Sequence, residues 1–407
     1  MPVLPRSFQP LLPEAAARKP LLERAEALVA EGHRLEASAG GLTGGLGGLL
    51  RSMNSYYSNR IEGQQTRPLD IERALAKQYD ANRAQAKKQR LAVAHIEAEM
   101  ALEATLPERE RLYEPEFVRR IHAELYERLP ANDRVSETHA RIEPGTYRAS
   151  DVTAGQHLAP PHGQIPALLA TWQAAYAPLA GLEQAVMAVA CAHHRLLWVH
   201  PFLDGNGRTA RLHTHLLLSA LGLTHGLWSP LRGMARDQEG YYARLNNADL
   251  QRRNDLDGRG PLSQEELVAF AIWLLDLCID QARFMRGLLG LEQFKARLAD
   301  LLRWLGAHPW PVGREPSVVK LDALEALHYV ALSGPVERAR FLAMTGLPDR
   351  TARRVLASLL DFGVLLAPTS RASVTFAVPL RSLRFLFPRL WPEAEADVDE
   401  YDGVRSK

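Results

Sequence analysis

The sequence predicts a mainly α-helical protein: a helical bundle carrying one short β-hairpin, followed by a small C-terminal module of three helices and a second hairpin. Three observations predict it. Apolar residues recur at helical spacing over long stretches free of Pro and Gly, most clearly Leu182 to Val199. Runs rich in turn and β formers are short, at 145–155 and after Phe362. Gly and Pro gather at a few points, which sets where helices must stop.

Taken in order, Pro2, Pro5 and Pro10 mark an extended arm, and 11–35 reads as a helix. Gly40 to Gly48 reads as a glycine-rich break before a helix over about 50–63. One long helix is expected from Asp70 to Thr105, then others at Glu114–Glu127 and Ile165–Ala177. Leu182–Val199 is followed by a turn forced by Pro201, Gly205 and Gly207, and Thr209–Leu221 resumes helical periodicity until Gly222. Leu262–Leu289 and Glu292–Leu305 are further helices, and the broken stretch from His308 to Pro316 marks a boundary. Beyond it lie helices at Leu321–Leu332, Val336–Thr345 and Asp349–Phe362, then strands at Val364–Ala367 and Val374–Val378. The expected division is 1–105, 106–306, 316–390 and a flexible tail over 391–407.

Composition sets the bounds. A chain of 407 residues that is 46% hydrophobic has core enough for two or three domains. A net charge of +2 is too near balance for a nucleic-acid coat over the whole molecule. Cys191 and Cys278, both in apolar helical contexts, give no disulfide framework and suit a reducing cytosol. With no charged-then-apolar leader and no apolar run of membrane length, the cytoplasm is the expected location, with no membrane partner.

The chemistry concentrates in the twelve residues His200 to Arg211, HPFLDGNGRTAR. A tight loop here feeds a helix whose first N–H groups and positive dipole end attract anions. Gly205 and Gly207 remove the Cβ atoms that would hold a phosphate away. Arg208 and Arg211 stand one helical turn apart and can address the same polyphosphate. Asp204 offers a hard oxygen ligand of the kind Mg²⁺ takes beside ATP. His200, at the other lip, can accept a proton near neutral pH. The structural alternative is a loop whose histidine merely caps a helix.

These residues closely resemble the signature of the Fic domain family, H-P-F-x-[D/E]-G-N-G-R-x-x-R, without a gap, and the similarity extends over roughly Tyr57 to Leu277. The resemblance implies transfer of AMP from ATP to a Ser, Thr or Tyr hydroxyl of a target protein. It makes His200 the general base, Asp204 the Mg²⁺ ligand, and Gly205, Asn206 and Gly207 the anion-binding turn. Arg208 and Arg211 would bind the β- and γ-phosphates, and Phe202 would anchor the loop in the core. Relatives with A-N-K-R in place of G-N-G-R phosphorylate instead, and others transfer phosphocholine. Gly207 argues against the first, and Asp204 fits AMP transfer.

Upstream, Ser58-Asn59-Arg60-Ile61-Glu62-Gly63 matches the family's inhibitory pattern [S/T]-x-x-x-E-[G/N]. Ser58 and Glu62 are i and i+4, on one helix face, and Gly63 is a natural terminator. The resemblance implies that Glu62 pairs with Arg211 and blocks the γ-phosphate. The stretch Gly145 to Gly155 reads as a hairpin and is similar to the family's flap, with Val152 and Gly155 closing on the nucleotide. Of Tyr241 and Tyr242, the resemblance places Tyr242 against adenine. Asn246, Asn247 and Asp249 are left as alternatives for a further site residue.

Crowded histidines (His193, His194, His213 and His215) raise the question of zinc. His193 and His194 point about 100° apart on a helix, and no H-E-x-x-H or C-x-x-C accompanies them, which favours packing roles. The C-terminal helices and hairpin resemble a winged helix, with Arg350, Arg353 and Arg354 on its third helix. Ten Lys/Arg against five Asp/Glu over 316–390 admit phosphate contacts, so DNA is a partner to consider beside protein. The expectation is a protein adenylyltransferase using ATP and Mg²⁺, acting on a protein target and on itself. It is quiet at rest through Glu62, with AMP removal and a homodimer left open. The alternative is a winged-helix DNA-binding regulator whose Fic region senses nucleotide.

Overall fold

The computed structural model describes residues 8–40, 42–136 and 138–405, so the start of the predicted arm, with Pro2 and Pro5, lies outside it. The described residues form two compact units: one comprises those up to His33, Asn54–Thr66 and Arg73–Ala282, and the other comprises Arg34–Met53, Arg67–Glu72 and those from Arg283 on. The division therefore does not follow the linear boundaries at 105, 306 and 390. Punctuation by Pro and Gly reports only chain neighbours, whereas a unit is made by helices that bury apolar faces against each other.

The helices in chain order are α1 (Ala15–Ala39), α2 (Thr43–Ile61), α3 (Pro68–Leu75), α4 (Arg83–Ala104), α5 (Pro115–Glu127), α6 (Ile165–Tyr176), α7 (Leu182–Val199) and α8 (Asn206–Ala220). They are followed by α9 (Leu231–Arg236), α10 (Gln238–Ala248), α11 (Gln264–Leu288) and α12 (Leu291–Ala307). In the first unit α7 is the central element. Every residue from Ala185 to Leu196 is buried, as expected of a helix apolar on all sides. Its alanines at 185, 188, 190 and 192 let α6 and α8 approach closely, and the Trp172 indole of α6 donates to the Ala192 carbonyl at 3.1 Å. α5 packs on α8, and α4 on α5.

Four expectations need correction. The glycine-rich segment is not a break: α2 begins at Thr43 and runs through Gly44 to Gly48. A Cβ on Gly45 would come within 2.6 Å of the Phe376 ring, so close packing explains a glycine that propensity alone disfavours. The stretch Asp70–Thr105 is two helices, because Asn82 caps α4 by accepting from Ala84 N at 2.9 Å and Gln85 N at 3.3 Å. The first hairpin is displaced to the end of its predicted span: β1 (Thr153–Ala154) pairs with β2 (His157–Leu158) about Gly155, whose φ is +60°. The tail is helical over Pro392–Arg405, with Trp391, Ala394 and Val398 buried and Asp397 accepting from Leu69 N at 2.8 Å.

The second unit contains α12, the hairpin β3 (Pro311–Val312) and β4 (Glu315–Pro316), and helices α13 (Leu324–Ser333), α14 (Arg338–Met344) and α15 (Asp349–Phe362). The hairpin β5 (Leu365–Leu366) and β6 (Thr375–Phe376), α16 (Leu383–Leu386) and α17 (Pro392–Arg405) complete it. Phe294 of α12 sits 5.7 Å from the Phe387 ring and 5.9 Å from Phe376. On α15, Arg353 pairs with Asp349 at 2.8 Å and Arg354 with Glu315 at 2.9 Å, so two of the three predicted phosphate-facing arginines already have carboxylate partners. No helix among the described residues is long and apolar enough to cross a membrane.

The α2 glycines give a paired prediction. Gly45→Ala is expected to destabilise the protein by about 1–3 kcal/mol through overpacking. Nothing lies within 4 Å of a Cβ on Gly48, so Gly48→Ala is expected to stabilise by about 0.5–1 kcal/mol. Opposite shifts in thermal unfolding of the full chain check both.

Candidate active site

α7 stops at His200, whose backbone is left-handed (φ 48°, ψ 59°), an uncommon state for a residue with a Cβ. Arg148 holds this turn. Its Nε donates to the His200 carbonyl at 2.8 Å, its side chain also binds the Ser150 and Pro160 carbonyls, and its own N–H donates to Pro201 O at 3.0 Å. Phe202, fully buried, stacks on His122 with ring centroids 4.0 Å apart. Asn206 clamps the same residue from both sides, accepting from Phe202 N at 2.9 Å and donating to Phe202 O at 2.8 Å. The Asn206 side chain thus shapes the loop at the start of α8.

The two loop glycines are there for separate reasons. Gly205 has φ +81°, and a Cβ on it would lie 2.6 Å from the Tyr126 hydroxyl. That hydroxyl donates to Asp204 Oδ1 at 2.6 Å, and the same oxygen accepts from Arg208 at 2.6 Å. A Cβ on Gly207 would fall 2.1 Å from Glu62 Oε1, so this glycine is what lets the α2 carboxylate reach the loop. There Glu62 accepts from Arg211 at 2.6 Å, while Ser58 accepts from the same guanidinium through Oγ at 3.1 Å and through its carbonyl at 3.0 Å. Gly63, at φ +68°, ends α2 with Gln64 N donating back to Asn59 O at 2.8 Å. The Tyr242 hydroxyl donates to Ile61 O at 2.8 Å and ties this helix end to α10.

A cavity of about 630 Å³ opens over the loop, with His200, Gly207, Arg211, Val152, Gly155 and Tyr242 on its wall. A smaller one, about 300 Å³, adjoins Tyr126 and Arg208. Glu62 and Asp204 border both. The structure therefore brings together His200, Asp204, Gly205, Asn206, Gly207, Arg208, Arg211, Glu62, Ser58, Val152, Gly155 and Tyr242. Of the tyrosine pair, Tyr241 is buried and Tyr242 is 39% exposed, so Tyr242 is the one available to a ligand.

Electrostatics follow from burial and partners. Burial, reinforced by His157 and Arg148, pushes the His200 imidazole down to about 4, so it is neutral and able to accept a proton at pH 7. Burial also opposes the charge on Arg211 and Arg208. Glu62 outweighs it for Arg211, Tyr126 and Asp204 outweigh it for Arg208, and both guanidiniums are held above their ordinary value.

Sequence reading missed several parts. Arg148 lies inside the predicted hairpin but carries no motif, and His122 and Tyr126 sit on α5 with no local signal at all. Asp249, left undecided beside Asn246 and Asn247, receives His157 of β2 at 3.2 Å and His194 at 3.2 Å. The crowded histidines do not converge. His193 meets Thr214 and Tyr241, His213 meets the Leu112 carbonyl, and His215 turns toward α4.

Residues 112–218 match the model of the Fic/DOC family, so this chain carries a Fic domain. It is 26% identical over 208 residues to "Protein adenylyltransferase Fic" of Nematostella vectensis, covering 48% of this chain and 42% of the relative. It is 39% identical over 82 residues to the protein of the same name from Aedes aegypti, 20% of this chain and 16% of the relative. The chain thus spans less than half the length of these curated relatives. Two similar solved structures are a Fic family protein from Desulfovibrio desulfuricans G20 (TM-score 0.49, 16% identity, 87% of this chain and 95% of that one) and Fic-1 from C. elegans (TM-score 0.49, 19% identity, 67% and 72%).

Two predictions come from this geometry. Asn206→Ala leaves both Phe202 backbone groups without their partner and is expected to destabilise by about 2–4 kcal/mol, with faster hydrogen exchange at the Phe202 amide. His122 and His213, both buried, are each pushed down to about 4 by burial, below their unfolded value of 6.5. Their contribution is complete above pH 6.5 and is lost as pH falls toward 4, at about 1.4 kcal/mol per pH unit for each. Urea midpoints measured from pH 7.5 to 4.5 check this.

Proposed function

We propose that this protein transfers AMP from ATP to a hydroxyl of a protein target, and that Glu62 holds it quiet at rest. The observation that carries the reading is Arg211: a guanidinium 1% exposed, at the wall of the same cavity as the neutral His200, already neutralised by Glu62 at 2.6 Å. An anion seated there competes with a γ-phosphate for the same donors. The Fic domain and the adenylyltransferase relatives support the chemistry.

Asp204, whose Oδ1 accepts from Arg208 at 2.6 Å and which borders both cavities, suits a phosphate-bound hard cation and would hold Mg²⁺. That ion, when bound, neutralises charge on the phosphate oxygens. Arg208, Arg211 and the first N–H groups of α8 would carry the phosphates, and Tyr242 would lie against the base. His200 takes the proton of the target hydroxyl as its oxygen bonds to the α-phosphorus. The bond from that phosphorus to the bridging oxygen breaks, and pyrophosphate leaves. Apart from this proton transfer, the protein contributes positioning and charge. The β1–β2 hairpin, which carries Gly155 at the cavity mouth, is the element a target segment would align against. The two buried thiols, Cys191 and Cys278, suit a cytoplasmic setting.

With ATP labelled on the α-phosphorus, Glu62→Gly is expected to raise incorporation into the protein and a lysate at least about tenfold, an activation of about 1.4 kcal/mol. His200→Ala is expected to abolish it. A Glu62→Gly protein that takes up no label would refute the reading. Because His200 loses its proton near pH 4, the Glu62→Gly rate should climb through that region and stay flat from pH 6 to 8.

A further inference from the structure

One helical turn beyond Arg211 on α8, His215 meets a buried polar stripe on α4 that the proposed reaction does not use. His95, Glu99 and Glu103 succeed one another at intervals of four along that helix, hence on one face. His215 Nε2 lies 3.5 Å from Glu99 Oε1 and 3.2 Å from Glu103 Oε1. Among the described residues, these three offer donor atoms that all lie within 4.8 Å of one another. In a tetrahedral zinc site with ligand distances of about 2.1 Å, neighbouring donor atoms stand about 3.4 Å apart. The two separations, 3.5 and 3.2 Å, lie close to that edge, the shorter one being a hydrogen bond that a metal ion would replace.

Two further observations point to a ligand. His95 is 1% exposed, neither of its ring nitrogens has a hydrogen-bond partner, and its Nδ1 faces Glu99 Oε2 at 3.7 Å. A buried imidazole aimed at a carboxylate yet bonded to nothing is rare in native interiors. Asn54, buried on α2, donates to Glu99 Oε1 at 2.7 Å, the outer-shell contact that orients a ligating carboxylate. Glu103, with a side chain 25% exposed, provides the edge through which an ion would enter.

We propose that Glu99, Glu103 and His215, completed by His95, bind a divalent transition metal ion of the zinc class and pin α4 to α8 behind the loop. Imidazole with carboxylate suits Zn²⁺, Co²⁺ and their neighbours, whereas Mg²⁺ and Ca²⁺ favour all-oxygen sets. The site is separate from Asp204 and independent of the adenylyl-transfer reading.

The test uses the full-length protein, stripped with a chelator, kept free of nucleotide, and then given Zn²⁺ or Co²⁺. After gel filtration, elemental analysis should find about one ion per chain, and Co²⁺ should give the intense visible bands of a tetrahedral N/O site. Asp204→Ala, which removes the expected Mg²⁺ ligand, should keep the same stoichiometry. Glu103→Gln, at the accessible edge and least able to disturb folding, should weaken binding at least about tenfold. His215→Gln, with its fold checked by circular dichroism, should abolish it. A ratio near zero in the parent protein overturns the proposal, as does an ion lost in Asp204→Ala or one retained with unchanged affinity in Glu103→Gln. If His215→Gln does not fold, Glu103→Gln alone decides.

Discussion

A guanidinium taken out of water is strongly stabilised by an anion, and Arg211 is a buried guanidinium that has one. It is 1% exposed, and its hydrogen-bond partners supply negative charge and lone pairs. Glu62 provides the charge, and Ser58 provides a hydroxyl and a carbonyl from the same helix face. That requirement fixes the register of the last turns of α2, because Ser58 and Glu62 must both point at α8. It also requires glycine at 207, where any side chain would occupy the space of the carboxylate. The end of α2 is fixed in turn by Tyr242 and Gln238, which both donate to Ile61 O. One buried charge thus sets the relation of three helices.

The loop above Arg211 is held by contacts to backbone atoms. Arg148 secures the carbonyls of His200, Ser150 and Pro160, and Asn206 secures both polar groups of Phe202. These contacts sustain a left-handed backbone at His200 that would relax if the chain were free. They also place the start of α8, at Asn206 and Gly207, on the cavity wall. A site made this way is preorganised before any ligand arrives, which is where phosphoryl-type transfer gains most.

Burial has a second consequence for the same helices. α7 and α8 carry histidines that face one another and the core, and burial keeps those of the core neutral. A neutral imidazole keeps one nitrogen able to accept, so His193 can bridge Thr214 and Tyr241 without importing charge. His200 shares that neutrality but opens on the cavity, so the same physics that makes its neighbours structural makes it a proton acceptor.

How much of this was legible in the sequence depends on how local each determinant is. The bounds of α7, the positions of Gly205 and Gly207, and the spacing of Ser58 and Glu62 are short-range properties, and reading by periodicity and turn chemistry found them. α15 was found in the same way, over Asp349–Phe362. Three things lay outside that reach. The close approach that explains a glycine at 45 is to Phe376, more than three hundred positions away. The helix after Trp391 depends on an apolar stripe finding a surface to bury against. The partners Tyr126, Arg148 and His95 have no motif, because their roles exist only where α5, the flap and α4 meet the loop and α8. Backbone propensity acts over a few residues, so the chain alone determined most of the helices of the first unit and where the loop between α7 and α8 turns. Desolvation acts through space, so only the tertiary structure decided which charges are paired, which imidazoles are neutral and which glycines are there for close approach.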